Sequence, residues 1–477
     1  MELLAVLMCL LAVPVMAFLR SYARRARARL IVHKIGDPAV AHRALIDNAD
    51  DFSNRPAGIF PVSLATWENG EPNENITTVR YGPHWSALRC NLTAGILHPT
   101  RLASLAPLRQ EAAQALVAEL SVASGRDREV TLRGHITAAV FALVARLCFG
   151  DGVDGGHVRA MGSMVRDFLA AAGELNRRFD GSMLSKIVNW RALRHVTGLI
   201  ERQAELYRPL IEARRRSRFH LCGGIVHPYV DSLLDLHVPN DDDAAAGVGH
   251  GLRELRDGEV VGLVLEFLAA GMGSVSASVE WTLAHLISRP EVQDKLLREI
   301  DGEADATISS KTLRIGMPYL NAVVLESLRM HPPMPVLMRA AHGEGAKVVP
   351  VTRATTVPAE GLRVMFSLGD IGRDGKTWTD LDEFLPERFL PGGEAEGVGP
   401  MPGRKEIRMM PFGAGHRHCP GMSMGMLHIK CFLAALVREF EWAPSAEDCG
   451  GGIDMTELDG FSKLMKKPLT ACVTRRT

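Results

Sequence analysis

The residues of this chain that could do chemistry concentrate in one stretch, Pro411-Phe412-Gly413-Ala414-Gly415-His416-Arg417-His418-Cys419-Pro420-Gly421. Two glycines, two apart and ahead of a cysteine, make a tight turn whose backbone can approach a flat ligand closely. The cysteine stands just before a helical pattern, and the partial positive charge of a helix N-terminus favours thiolate over thiol. Pro420 suits a first helical position, and Gly421 lets that helix lie close to whatever the sulfur binds. A single thiolate with no neighbouring thiol points to a metal held mostly by its own macrocycle, as in haem. Two other readings stand beside it. One is a buried core cysteine, the usual state of a lone Cys. The other is a zinc site recruiting His416, His418 and His428, which has the ligand types but no recognised spacing.

Other elements must hold that loop, and the chain ahead of it reads as mainly helical. Apolar residues recur at helical spacing over 101–121, 158–175 and 193–214. The longest such pattern covers about 258–288 and is stopped by Arg289-Pro290. A second runs over 319–330 and ends sharply at Pro332-Pro333. The last starts near Gly421 and ends around Phe440. Val348-Val349, Thr355 to Val357 and Val364-Met365-Phe366 read as short strands between turns. Residues 217–258 read as a surface connection, given Gly223-Gly224, His227-Pro228 and Asp241-Asp242-Asp243. The expected fold class is mainly α with small β-sheets, and no break divides 31–477.

Composition narrows the function. Lys+Arg 55 against Asp+Glu 55 gives zero formal charge, which argues against a whole-protein grip on nucleic acid. Eight cysteines without a CxxC pair argue against a disulfide framework or zinc ribbon and fit a reduced, cytosol-facing chain. The first residues differ from the rest. Positions 3–19 are uncharged and mostly aliphatic, about 25 Å as a helix. Arg20, Arg24, Arg25, Arg27 and Arg29 follow at once. Met1-Glu2 lacks the positive start of a cleavable signal, so 1–19 reads as a membrane signal-anchor and 20–30 as a basic linker. No later segment reads as long and apolar enough to span a membrane.

The FGxGxRxCxG pattern of the cysteine stretch resembles the haem loop of the cytochrome P450 superfamily, and further landmarks follow in that family's order. Glu326-Ser327-Leu328-Arg329 resembles its ExxR motif, with His331-Pro332-Pro333 behind it. Phe384-Leu385-Pro386-Glu387-Arg388-Phe389 resembles its PERF motif, preceded by Gly372-Arg373-Asp374 and Trp378. Trp85-Ser86-Ala87-Leu88-Arg89 is similar to its WxxxR helix. The resemblance covers about 31–473. Tyr81-Gly82-Pro83, Arg89-Cys90-Asn91-Leu92 and Arg438-Glu439-Phe440-Glu441-Trp442 are similar to the plant microsomal A-type group, nearest to grass members of family eighty-nine.

This resemblance implies a catalytic domain over 31–477 that binds haem b and inserts one oxygen atom into a hydrophobic small molecule. Electrons come from NADPH through a membrane-bound reductase. The expected setting is a monomer, single-pass in the endoplasmic-reticulum membrane, with its domain in the cytosol. Cys419 becomes the axial ligand of the iron, and a thiolate there favours O–O cleavage, as is known of this haem class. Phe412 packs near the sulfur, and Arg417 is the propionate partner within the loop. Trp85 and Arg89, four apart on one helix face, donate to a propionate together. Arg339 does so from the strand after the Pro-Pro stop. Glu326, Arg329 and Arg388 form a structural network that fixes the loop.

Two departures from the family pattern stand out. Members carry Ala-Gly-x-acid-Thr on the long helix, where a local bend receives dioxygen and the acid and alcohol relay protons. This chain reads Ala270-Gly271-Met272-Gly273-Ser274. Serine keeps a hydroxyl; glycine keeps no proton donor, and Gly271 with Gly273 loosens a helix by about 1 kcal/mol each relative to alanine. Gly271 and Ser274 are the catalytic candidates, and impaired or non-standard oxygen activation, or a catalytically degenerate relic, are the alternative readings. Second, only about eight residues separate Arg29 from Pro38, where relatives have a hinge, a helix and a first strand, so the sheet is expected to be incomplete at that edge. Substrate identity is not legible; 81–95 and 175–220 carry no motif.

Overall fold

The computed structural model describes residues 33–56, 74–126, 128–176, 179, 183–217, 227–240, 251–302, 313, 316–342, 362–458 and 460–476. Within them the chain is mainly helical with short strands. The helices are α1 (Pro38–His42), α2 (Pro83–Gly95), α3 (Pro99–Ser104), α4 (Ala106–Arg126), α5 (Leu132–Phe149), α6 (Gly155–Asn176) and α7 (Met183–Val188). They continue as α8 (Trp190–Ser217), α9 (Tyr229–Leu234), α10 (Asp257–Ser288), α11 (Pro290–Asp301), α12 (Pro318–Met330), α13 (Leu368–Gly372) and α14 (Met422–Glu439).

α10 is the axis of the fold. Its residues are apolar nearly all round, so it is buried rather than amphipathic, with α5 and α14 packed against it. Glu259 opens it by accepting the Arg256 backbone N–H at 2.7 Å and both Arg253 guanidinium nitrogens. Pro290, which cannot continue a helix, ends it and begins α11. α5 and α10 are in fact long and apolar enough to cross a membrane, contrary to the sequence expectation; both are mostly buried in the core, which accounts for that composition. The anchor and linker expected over 1–30 lie outside the described residues.

Among the described residues ten short strands complete the frame, in four groups. β1 (His33–Ile35) runs parallel to β6 (Leu362–Ser367), and β6 runs antiparallel to β5 (Val336–Ala341), which carries Arg339. Among the described residues β1 is the outer strand at that edge. β2 (Glu129–Thr131), β10 (Thr470–Arg475) and β7 (Phe440–Pro444) form a second sheet in that order. β3 (His237–Pro239) pairs with β4 (Leu252–Glu254), and β8 (Glu457–Leu458) with β9 (Leu464–Met465). The 217–258 stretch is therefore not a plain connection, since it holds α9, β3 and β4. Those elements are six residues or fewer, too short to show a period. The strands expected at 348–349 and 355–357 lie outside the described residues.

Candidate functional site

Gly413 and Gly415 both have left-handed backbones, with φ of 74° and 72°. A Cβ on Gly415 would sit 2.6 Å from the Leu45 carbonyl oxygen, so the loop rests directly on the turn after α1. The Cys419 N–H donates to the Phe412 carbonyl at 2.8 Å and closes the loop. Gly421 caps α14, and Met422 is its first residue; Pro420 precedes the cap rather than opening the helix, a correction to the expected first-turn proline. Burial pushes the Cys419 thiol up, while a hydrogen bond from the Gly421 amide and the Arg89 and Arg55 charges oppose that push. The Phe412 ring lies against α14 at Gly425, its Cε1 3.7 Å from where a Cβ there would stand, an ordinary contact.

Around this loop the structure gathers guanidinium groups. Arg417 is buried and donates to the Ser53, Ile76 and Val79 carbonyls at 2.6, 3.0 and 2.6 Å. Burial, then the neighbouring Arg55 charge, push its pKa down to about 10. Arg339, equally buried, donates to the Met338 carbonyl at 2.9 Å. Burial first, then the Arg55 and Arg417 charges, hold it well below the usual arginine range. Arg89 donates to the His418 carbonyl at 2.7 Å. Trp85 donates its indole N–H to the Ile76 carbonyl at 3.2 Å, and Arg417 and Arg89 lie over its ring at 5.1 and 5.7 Å.

Arg55 joins them and was missed from sequence. Burial lowers its pKa, against the opposing charges of Glu266 and Cys419. It sits between Asn54 and Pro56 with no spacing to a partner, so only the pocket reveals it. Four neighbouring guanidiniums, two of them buried and two half-buried, are costly to gather unless anions join them. A flat macrocycle bearing two propionates supplies such anions, so the residues present fit haem. The zinc reading fits less well. His416 lies 2.8 Å from Asp50 and stacks on Tyr81, His418 faces Arg89, and His428 is buried in α14 without a hydrogen bond. The metal-type side chains that do gather among the described residues are Glu74, His84 and Glu259, and Arg253 already occupies the last.

α10 presents a partly open strip in an otherwise buried helix. Glu266, Ala269, Ala270, Gly271, Gly273 and Ser274 keep accessible surface, Ala270 the most. The Ser274 hydroxyl donates to the Ala270 carbonyl at 2.8 Å. The helix runs unbroken through 270–276. Gly271 has a packing reason: a Cβ there would meet the Val144 methyls of α5 at 2.9 and 3.1 Å. Gly273 has none. A Cβ there would find Leu169 Cδ1 at 3.4 Å and Ser462 Oγ at 3.7 Å, which is ordinary contact. The acid is absent although a Cβ would fit there. Glu280 does not replace it, being held by Arg133 at 2.9 Å and the Leu469 N–H at 3.0 Å.

Glu326, Arg329 and Arg388 come together as expected. Glu326 Oε2 accepts from Arg329 Nε at 2.7 Å, and Oε1 accepts from Arg329 Nη2 at 2.8 Å and Arg388 Nε at 3.0 Å. The Leu385 N–H adds a further bond to Oε1 at 3.0 Å, and Arg388 also pairs with Glu394. Arg329 ties down the following loop through the Gly372 and Leu381 carbonyls, each at 2.9 Å. Trp378 collects Arg329, Arg388 and Arg408 over its ring at 5.1, 5.7 and 4.7 Å.

A mainly helical fold about one long core helix, with a lone cysteine in a loop ringed by buried arginines, describes a haem protein of the monooxygenase class. The family model "Cytochrome P450" matches residues 30–472. Over 454 residues the chain is 31% identical to Cytochrome P450 89A9 of Arabidopsis thaliana, covering 93% of this chain and 84% of that protein. It is 29% identical over 483 residues to Cytochrome P450 78A1 of Zea mays, covering 95% and 81%. It is 27% identical over 465 residues to Cytochrome P450 98A1 of Sorghum bicolor, covering 92% and 81%. The chain belongs to the cytochrome P450 family, on its plant side, and is a cytochrome P450 monooxygenase.

Proposed function

We propose that the chain holds haem b on Cys419 and oxidises a hydrophobic small molecule with NADPH electrons delivered by a membrane-bound reductase. The observation that carries this reading is the ring of buried and half-buried guanidiniums, Arg55, Arg89, Arg339 and Arg417, around the cysteine loop. Cys419 would ligate the iron, with Phe412 beside it and Gly421 giving the sulfur its amide hydrogen bond. The arginines would hold the propionates, while the single indole N–H of Trp85 is spent on the Ile76 carbonyl. When bound there, haem supplies the redox chemistry that activates dioxygen. The Glu326–Arg329–Arg388 network fixes the surrounding loops and takes no part in the chemistry.

Proton handling falls to this chain's own side chains on α10. The Ser274 hydroxyl, anchored on the Ala270 carbonyl, keeps its lone pairs for accepting a hydrogen bond. Gly273 contributes none. This favours a second reading, a haem-thiolate enzyme of impaired or non-standard oxygen activation that wastes electrons or performs peroxide rearrangement or isomerase chemistry. Restoring the pair with Gly273→Asp and Ser274→Thr tests it, since general acid help is typically worth about 10²–10⁴-fold. The fraction of NADPH ending in product should rise and peroxide release should fall. A wild type already well coupled, with no gain in the double variant, would show that the departure is no defect.

The same proposal places the chain as a monomer in the endoplasmic-reticulum membrane. Residues 1–19 form a single span, 20–30 a basic linker, and 31–477 the catalytic domain in the cytosol. Deleting 1–29 should release folded protein from microsomes into the soluble fraction. Truncated, folded protein that still floats with membranes would assign the attachment to another surface.

A further inference from the structure

Glu266 lies on α10 one turn before Ala270, and its charge acts on Arg55 and Arg417. Both of its oxygens accept hydrogen bonds from a single turn. Oε2 accepts the Ile76 N–H at 3.0 Å; Oε1 accepts the Thr77 N–H at 2.9 Å and the Thr77 hydroxyl. Those residues belong to a tight turn in which Asn75 Oδ1 accepts from the Thr77 and Thr78 amides and the Val79 N–H donates to the Asn75 carbonyl at 2.9 Å. The other side of the same turn holds the cysteine loop. The Ile76 carbonyl accepts from Trp85 and Arg417, and the Val79 carbonyl accepts from Arg417. Arg417 is two residues from Cys419.

We propose that Glu266 is a positioning residue: it pins the Asn75–Val79 turn to α10, and the turn's carbonyls fix Trp85 in place and aim Arg417 at the haem. The inference rests on the haem reading given above. It also settles a tempting alternative, that Glu266 substitutes for the acid absent at Gly273. Both its oxygens are taken by donors of the turn, eight residues along α10 from Ser274. Burial raises the Glu266 pKa, and the Thr77 hydrogen bond and the Arg55 charge oppose that rise.

The test compares full-length wild type with Glu266→Gln, Glu266→Ala and Thr77→Val, using exposed Glu441→Gln as the control. Three readouts are taken: the carbon monoxide difference spectrum, the rate of haem transfer to apomyoglobin, and thermal unfolding. Loss of a charge-assisted anchor predicts haem release at least about tenfold faster in Glu266→Ala, with part of the thiolate band lost. Thr77→Val, which removes one of the three bonds, should give a smaller acceleration in the same direction. Haem release and spectrum equal to wild type in folded Glu266→Ala would overturn the inference. So would a lowered melting temperature with unchanged haem release, since that marks a structural tie alone. If Glu266→Ala does not fold, Glu266→Gln and Thr77→Val decide by the same criterion. A wild type with no thiolate band would instead overturn the haem reading, and the inference with it.

Discussion

Cys419→Ser should abolish the thiolate carbon monoxide spectrum completely. An alcohol is a poor soft ligand and its oxygen stays protonated at neutral pH, so the substitution removes both the donor and its charge. The loop itself should survive. Its closure depends on the Cys419 N–H to Phe412 carbonyl bond and on the left-handed Gly413 and Gly415, none of which involves the sulfur. The Gly421 amide would then donate to the serine oxygen. The variant is therefore expected to fold and to lack the normal bound-carbon-monoxide Soret band, with monooxygenase activity lost in proportion. A retained band in Cys419→Ser would move the ligand elsewhere, and a chain that fails to fold would show the sulfur to be structural.

Removing Glu326 should be the most destabilising single change in the fold. Glu326 is fully buried and accepts four hydrogen bonds, three of them from Arg329 and Arg388. Glu326→Ala leaves two buried guanidiniums facing one another, and breaking a buried pair in this way costs about 3–5 kcal/mol. That is a large part of the stability of a typical domain. The expected result is little folded, haem-loaded protein, with what remains melting well below wild type. Glu326→Gln keeps the volume and some of the bonds and should fall between the two. A surface pair such as Lys34–Asp370, half exposed on both sides, should hardly matter when broken. Glu326→Ala that folds with near wild-type stability but no turnover would recast Glu326 as a chemical group.

Much of this was legible in the sequence because the landmarks are local. Cys419, the ExxR pair and the Trp85–Arg89 pair each lie on one helix or one turn, so spacing alone puts their side chains together. The long helices were also readable, α10 and α12 to within a residue or two, because prolines mark their ends. Arg55 and Glu266 were not read as members of the arginine cluster. Their partners lie hundreds of residues away or carry no motif, and only burial shows what they do. α9 and the β3–β4 hairpin were missed because elements so short gain their stability from packing rather than from pattern. Gly273 was seen as a departure, but whether space remained for an acid was a question of Leu169 and Ser462, which sequence could not place beside it.

Gly271 and Gly273 divide the surroundings of α10 at this point into unequal halves. At Gly271 the helix backbone lies so close to Val144 that even a methyl group would collide. That side has no slack. At Gly273 the neighbours are a leucine tip and a serine hydroxyl at comfortable distance, both from segments less deeply packed than α5. Of the two sides, that of Leu169 and Ser462 is the one that tolerates added bulk. Substitutions meant to change what fits beside α10 belong there, because bulk added at Gly271 would strain the core before it opened any room.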